Sequence, residues 1–123
     1  METCRRNTVR RRVLSLHKTV RKHFGEVVTV TQEVQDIISS PIVKEAIINN
    51  SDCKILLDQR KFMNRFDAIQ TLLGLTDKEK AQILSINMSN HPGRKYKEVW
   101  IGLGGVQSAV YATEVSKQEY LAY

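Results

Sequence analysis

No apolar run in this chain approaches the roughly 20 residues that a membrane span needs. The basic N-terminus is not followed by an apolar stretch and a cleavage site, so it does not read as a secretory signal. Cysteine is scarce. Cys4 and Cys53 are far apart and lack metal-like spacing, which predicts two reduced thiols, with Cys53 acting as a small apolar strand residue. His17, His23 and His91 also lack ligand spacing and read as surface or structural residues, so no metal site is expected. Aromatics make up 7% of the residues, and none interleaves the N-terminal arginines, so that segment offers no stacking platform for single-stranded nucleic acid. The Gly-x-x-x-x-Gly-Lys-Ser/Thr loop that cradles phosphate is missing. Gly102, Gly104 and Gly105 do not replace it, because no Lys-Ser/Thr ending and no helical pattern follow them. They read as a hairpin connection.

What is present suits a soluble α/β domain with a modest core. The 123 residues are 41% hydrophobic and 26% charged, with a formal charge of +6. That charge is concentrated at one end. Residues 1–23 hold eight Lys and Arg against one acid, Glu2, a net +7, and the remainder holds eleven bases against twelve acids, a net −1. An arm carrying Arg5, Arg6, Arg10, Arg11 and Arg12 could bind DNA or an anionic membrane face. A solvated helix end explains the same run. Deleting residues 1–12 separates the two readings, since a DNA-binding arm would take affinity and salt dependence with it.

Spacing of apolar residues sets the expected elements. Val13, Leu16, Val20 and Phe24 recur at three and four residues, predicting a helix from Val9 to Phe24 closed by Gly25. Val27 to Thr31 is short and β-branched, as in a buried strand. Short helices are expected from Val34 to Ser40 and from Ile42 to Ile48, with a second strand from Cys53 to Leu57. Phe62, Phe66, Ile69, Leu72 and Leu73 mark a helix ending at Gly74. Thr76-Asp-Lys-Glu79 is a capping box opening a helix to about Ile86. Ser89 to Gly93 reads as a turn. Tyr96–Ile101 and Ser108–Val115 then form a hairpin through Gly102–Gly105. A helix between the first two strands favours a parallel pair with a right-handed crossover. The expected result is a three-layer α/β fold, a mixed sheet with a C-terminal antiparallel hairpin. Trp100 or Tyr111 on that hairpin offers a partner surface if exposed, and a core residue if buried.

Both expected strands end in polar clusters, Thr31-Gln32 and Asp58-Gln-Arg-Lys61. The carboxyl edge of an α/β sheet is where ligands bind. The segments Lys18-Thr-Val-Arg-Lys-His-Phe-Gly-Glu26, Val28-Thr-Val-Thr-Gln-Glu-Val34, Ile38 through Lys61, Gly74-Leu-Thr-Asp-Lys-Glu-Lys80 and Glu98-Val-Trp-Ile-Gly-Leu-Gly-Gly105 carry a likeness in consistent order. Residues 18–123 resemble the C-terminal part of the motor domain of TraG-type conjugative-transposon ATPases, within the type IV secretion ATPases. Residues 1–17 form a basic helix or arm that departs from that pattern.

The resemblance implies a partial RecA-like P-loop NTPase fold in an oligomeric motor at the cytoplasmic face of the inner membrane. It implies ATP and magnesium for the parent family, secretion and conjugation components as partners, and DNA transfer as the task. It places Gln32 on a Thr-Gln motif, where its amide would hydrogen-bond the γ-phosphate or the attacking water, with Thr31 supporting that edge. It places Arg60 and Lys61 on a later motif that neutralises phosphate charge. As a polar strand end, Gln32 needs no such role, and Arg60 and Lys61 also suit surface ion pairs at a helix start. The Walker A loop and the acidic Walker B strand of the family are not in this sequence. The simplest account is a truncated gene or the downstream piece of a split one. The isolated chain is then expected to hold no cofactor and to act only with a missing N-terminal half or in a homo-oligomer. The expected strand at Val27–Thr31 would carry an unpaired edge, predicting self-association or limited stability.

Overall fold

A computed structural model describes residues 2–32, 41–89, 91–93 and 95–122. For residues 2–10, 42, 43, 45, 46 and 120 it describes the main chain alone. The chain divides into two compact units, Met1–Ser51 and Asp52–Tyr123.

The first unit holds α1 (Glu2–Thr19), a 3-10 turn (Val20–His23) and α2 (Pro41–Asn50), with α1 lying against α2. The expected helix is present but starts earlier and ends sooner. Thr19 is its last residue, and Phe24, not Gly25, takes the left-handed conformation, at φ 55°. Phe24 is fully exposed. The inward stripe also shifts by one residue. Leu16 faces solvent, and His17 is buried between half-buried Val13 and Val20 at the same helical spacing. α2 covers the expected Ile42–Ile48 helix. The helix expected over Val34–Ser40 lies outside the described residues.

Val27–Thr31 is not a strand. Residues 25–31 have no regular structure, and Val28 and Val30 are 83% and 87% exposed. β-branched residues favour a strand only where a neighbouring strand supplies pairing and a packed face, and no described strand lies beside them. The parallel pair and its crossover are therefore not formed. The unpaired edge expected at Val27–Thr31, and the self-association argued from it, have no strand behind them.

The second unit is α/β. β1 (Cys53–Leu56) is followed by a 3-10 turn (Arg60–Arg65), α3 (Phe66–Leu73), α4 (Asp77–Ser85), β2 (Tyr96–Leu103), β3 (Gln107–Glu114) and α5 (Lys117–Ala122). The sheet order is β1-β2-β3 and both ladders are antiparallel, so among the described residues the sheet is not mixed. β1 pairs Ile55 with Ile101 and Leu56 with Trp100, and the hairpin pairs Trp100 with Val110. Gly104 and Gly105 make the turn at φ 53° and 74°, where a side chain would be strained, so the hairpin reading of these glycines holds.

Phe66, Ile69, Leu75, Ile83, Ile86 and Trp100 are buried and form the core under one sheet face. α4 lies on the β2–β3 hairpin at that face. The side-chain oxygen of Gln82 on α4 accepts from the Trp100 indole N–H and from the Ser108 hydroxyl, both at 3.2 Å. Gly102 is inside β2, not in the turn. A Cβ there would lie 2.3 Å from the Trp100 ring, so the glycine makes room for the indole. Trp100 is only 1% exposed and belongs to the core; Tyr111, across from Val99 on the other face with Ile55, is exposed.

The helix signals read from sequence are realised. Gly74 ends α3 at φ 65° and its N–H donates to the Gln70 carbonyl. The Thr76 hydroxyl accepts from the Glu79 N–H at 3.3 Å while Glu79 accepts from the Thr76 N–H at 2.8 Å. A second box opens α5, where Ser116 and Glu119 make the same exchange, and the Ser116 N–H and hydroxyl, donating to the Glu119 carboxylate at 2.9 and 2.8 Å, hold that carboxyl below its usual value.

Candidate functional site

The chemistry of the second unit collects just past the carboxyl end of β1. The strand ends at Leu56, and the chain turns through Asp58 into the 3-10 turn that starts at Arg60. Asp58 makes that turn. Its Oδ1 accepts from the Arg60 backbone N–H at 3.0 Å, an arrangement the short Asp side chain favours. The same carboxylate then takes the Arg60 guanidinium side-on. Nε lies 2.9 Å from each carboxylate oxygen and Nη2 lies 2.5 Å from Oδ2. These bonds hold the Asp58 carboxyl below the usual aspartate value, against a smaller opposing effect of burial, and the carboxylate in turn raises the Arg60 guanidinium. Arg60 is 51% exposed, so the pair is strongly screened and adds little to stability. Its value is geometric, because a planar fork held on one side has a fixed orientation.

Behind this pair stands Asn87, at the end of the helical turn after α4. It is one of two non-glycine residues with positive φ among the described residues, at 58°, and it is 6% exposed. Its backbone N–H donates to Glu98 Oε2 at 2.7 Å, and its Oδ1 accepts from the Glu98 N–H at 3.0 Å. This reciprocal clasp ties the segment to the start of β2. The remaining amide group, Nδ2, donates to Asp58 Oδ2 at 3.5 Å. A line of contacts thus runs from Glu98 through Asn87 and Asp58 to Arg60. Lys61, next in sequence, is exposed, and Gln59 turns its amide back to donate to the Leu57 carbonyl at 3.2 Å.

Thr31 and Gln32 belong to the first unit. Both are exposed, and Gln32 follows an irregular segment instead of tipping a core strand. That segment is anchored by His17. A carbonyl can only accept, so His17 Nδ1–H donates to the Val13 carbonyl at 2.9 Å, and in a neutral imidazole Nε2 then accepts from the Thr29 hydroxyl at 3.1 Å. This fits the structural role expected for a histidine here, in a buried place. Arg5, Arg6, Arg10, Arg11 and Arg12 all lie on α1, where about 100° of rotation per residue spreads them around the helix instead of along one stripe. Arg11 and Arg12 are exposed.

Among the described residues no group of three or more His, Cys, Asp or Glu could hold a metal ion. The described residues therefore do not make a magnesium site, and the acidic Walker B strand that would supply a ligand is not in the sequence. No described helix is long and apolar enough to cross a membrane.

Sequence placed Asp58 in the polar cluster after β1 and Glu98 in a segment of family likeness but gave neither a role, and it did not single out Asn87. The one signal available was Asn87 itself. Asparagine after a helix tolerates the left-handed conformation, yet nothing local names a partner eleven residues away.

A family model described as the TraG P-loop domain matches residues 4–123, nearly the whole chain and including most of the arginine-rich segment. No curated protein and no solved structure matches.

Proposed function

The chain belongs to the TraG P-loop domain family, and from that membership we propose that it is the C-terminal portion of a conjugative-transfer ATPase of the type IV secretion class, supplying phosphate-facing residues to a site whose nucleotide-gripping half lies on another segment. The observation that carries this reading is the coverage of the family match, residues 4–123, by a sequence that has no Walker A loop. Arg60 and Lys61 are the groups of the second unit that meet the transferring phosphate, in their own subunit or a neighbour's. What supports that role is the likeness of Asp58-Gln-Arg-Lys61 to a family motif and the exposure of both side chains, which leaves them accessible to an anion. Gln32, with Thr31, is the group of the first unit that orients the attacking water. Oligomeric assembly and DNA as cargo follow from the same reading.

Without the phosphate cradle and its metal, most of the charge stabilisation that drives phosphoryl transfer is absent. The purified chain should therefore turn over no ATP. Adding a polypeptide that carries the Walker A and Walker B segments should restore magnesium-dependent turnover, and Arg60→Gln should abolish the restored rate. Turnover by the chain alone, above a Gln32→Ala control, would overturn the proposal.

A further inference from the structure

We propose that Asn87 and Asp58 are positioning residues that set the Arg60 guanidinium to receive a phosphate oxyanion, an inference resting on the phosphate role given to Arg60 above. Arginine has five N–H donors. Asp58 engages Nε–H and one N–H of Nη2, all from one side. The two Nη1 donors and the second Nη2 donor have no partner among the described residues, and the side chain is 51% exposed. A guanidinium gripped along one edge presents the other edge ready-formed to an anion, without the ordering cost that a free arginine would incur.

What grips the gripper is Asn87. Its backbone N–H and side-chain oxygen are both committed to Glu98, at 2.7 and 3.0 Å, which leaves the amide plane no freedom and aims Nδ2 at Asp58. The clasp with Glu98 would join the α4 segment to β2 without that third contact. The left-handed backbone, which asparagine tolerates better than most residues, is what brings the buried amide to Asp58. Asp58 needs such support because an exposed Asp–Arg pair two residues apart would otherwise exchange among rotamers.

The test uses the full chain, isotopically labelled, with inorganic pyrophosphate as the probe. Glycine adopts positive φ freely, so Asn87→Gly deletes the amide without backbone strain. The expected result is about tenfold faster exchange of the Arg60 Nε–H with water and a matching loss of pyrophosphate affinity at the Arg60 resonance, as for a hydrogen bond to a charged group. The Trp100 indole N–H should keep its position. Asp58→Asn asks the same question from the other side should Asn87→Gly disturb the fold, and should also speed exchange. Unchanged exchange and affinity in both variants, with pyrophosphate still shifting Arg60, overturns the positioning role and leaves the proposed function standing. Pyrophosphate that fails to shift Arg60 in the unaltered chain overturns the phosphate role itself, and the inference falls with it.

Discussion

The two units of this chain have similar access to apolar residues but use them differently. In Asp52–Tyr123 six large apolar side chains are buried, two helices and a sheet share them, and the polar atom of the tryptophan is satisfied. In Met1–Ser51 the buried side chains among those described are Ile47 and His17. Valines that would suit a strand, Val28 and Val30, lie in water. β-branched composition alone does not produce a strand; a partner does. The second unit has its partner strands within about fifty residues of sequence and closes a core around them. The first unit brings one helix against another and fastens its irregular segment with a histidine.

Truncation of the core is the sharpest way to break this contrast. Phe66→Ala should cost about 3–5 kcal/mol in denaturant unfolding, as for other buried aromatics. A cost near that of an exposed site would show that the second unit is not organised around this residue. Gly102→Ala should cost about 1–3 kcal/mol, because the new methyl must push the Trp100 ring aside. A neutral result would place the indole elsewhere. His17→Ala in the first unit should cost about 1 kcal/mol, the worth of an ordinary hydrogen bond, and should accelerate hydrogen exchange at residues 26–31 while the sheet amides of β2 hold. Uniform acceleration would mean that the two units open together. The smallest effect is acid sensitivity. Asp58 and Glu119 both have lowered carboxyl values in the folded state, so the stability they add is present above the ordinary carboxylate range and is lost as pH falls through their lower folded values. Denaturant midpoints should decline from near pH 5 towards pH 3, about where ordinary carboxylates titrate, and Asp58→Asn should flatten part of the decline.

Local signals in the sequence located the second unit well. Gly74 as a helix stop, the Thr76–Glu79 box and the Gly104–Gly105 turn are contained in a few consecutive residues, and each appears where the residues place it. The α/β class and the closing hairpin follow from the same signals. Errors arose wherever a packing partner decides, near or far in sequence. The strand at Val27–Thr31 needed a neighbour; the glycine at 102 is there for an indole two residues away on the same face; and Asn87 acquires its role only through Glu98 and Asp58. At the candidate site, Arg60 was legible through family likeness, while the residues that hold it were not, because their spacing of 29 positions carries no pattern.

Trp100 is the sole tryptophan, and it sits at the centre of the second unit with its ring over Gly102 and its nitrogen bonded to Gln82. Intrinsic fluorescence excited at the indole therefore watches that unit alone. A melting curve recorded in this way would be blind to α1 and α2 coming apart, and its disagreement with a helix-sensitive dichroism curve would be a direct readout of how separately the two halves lose their structure.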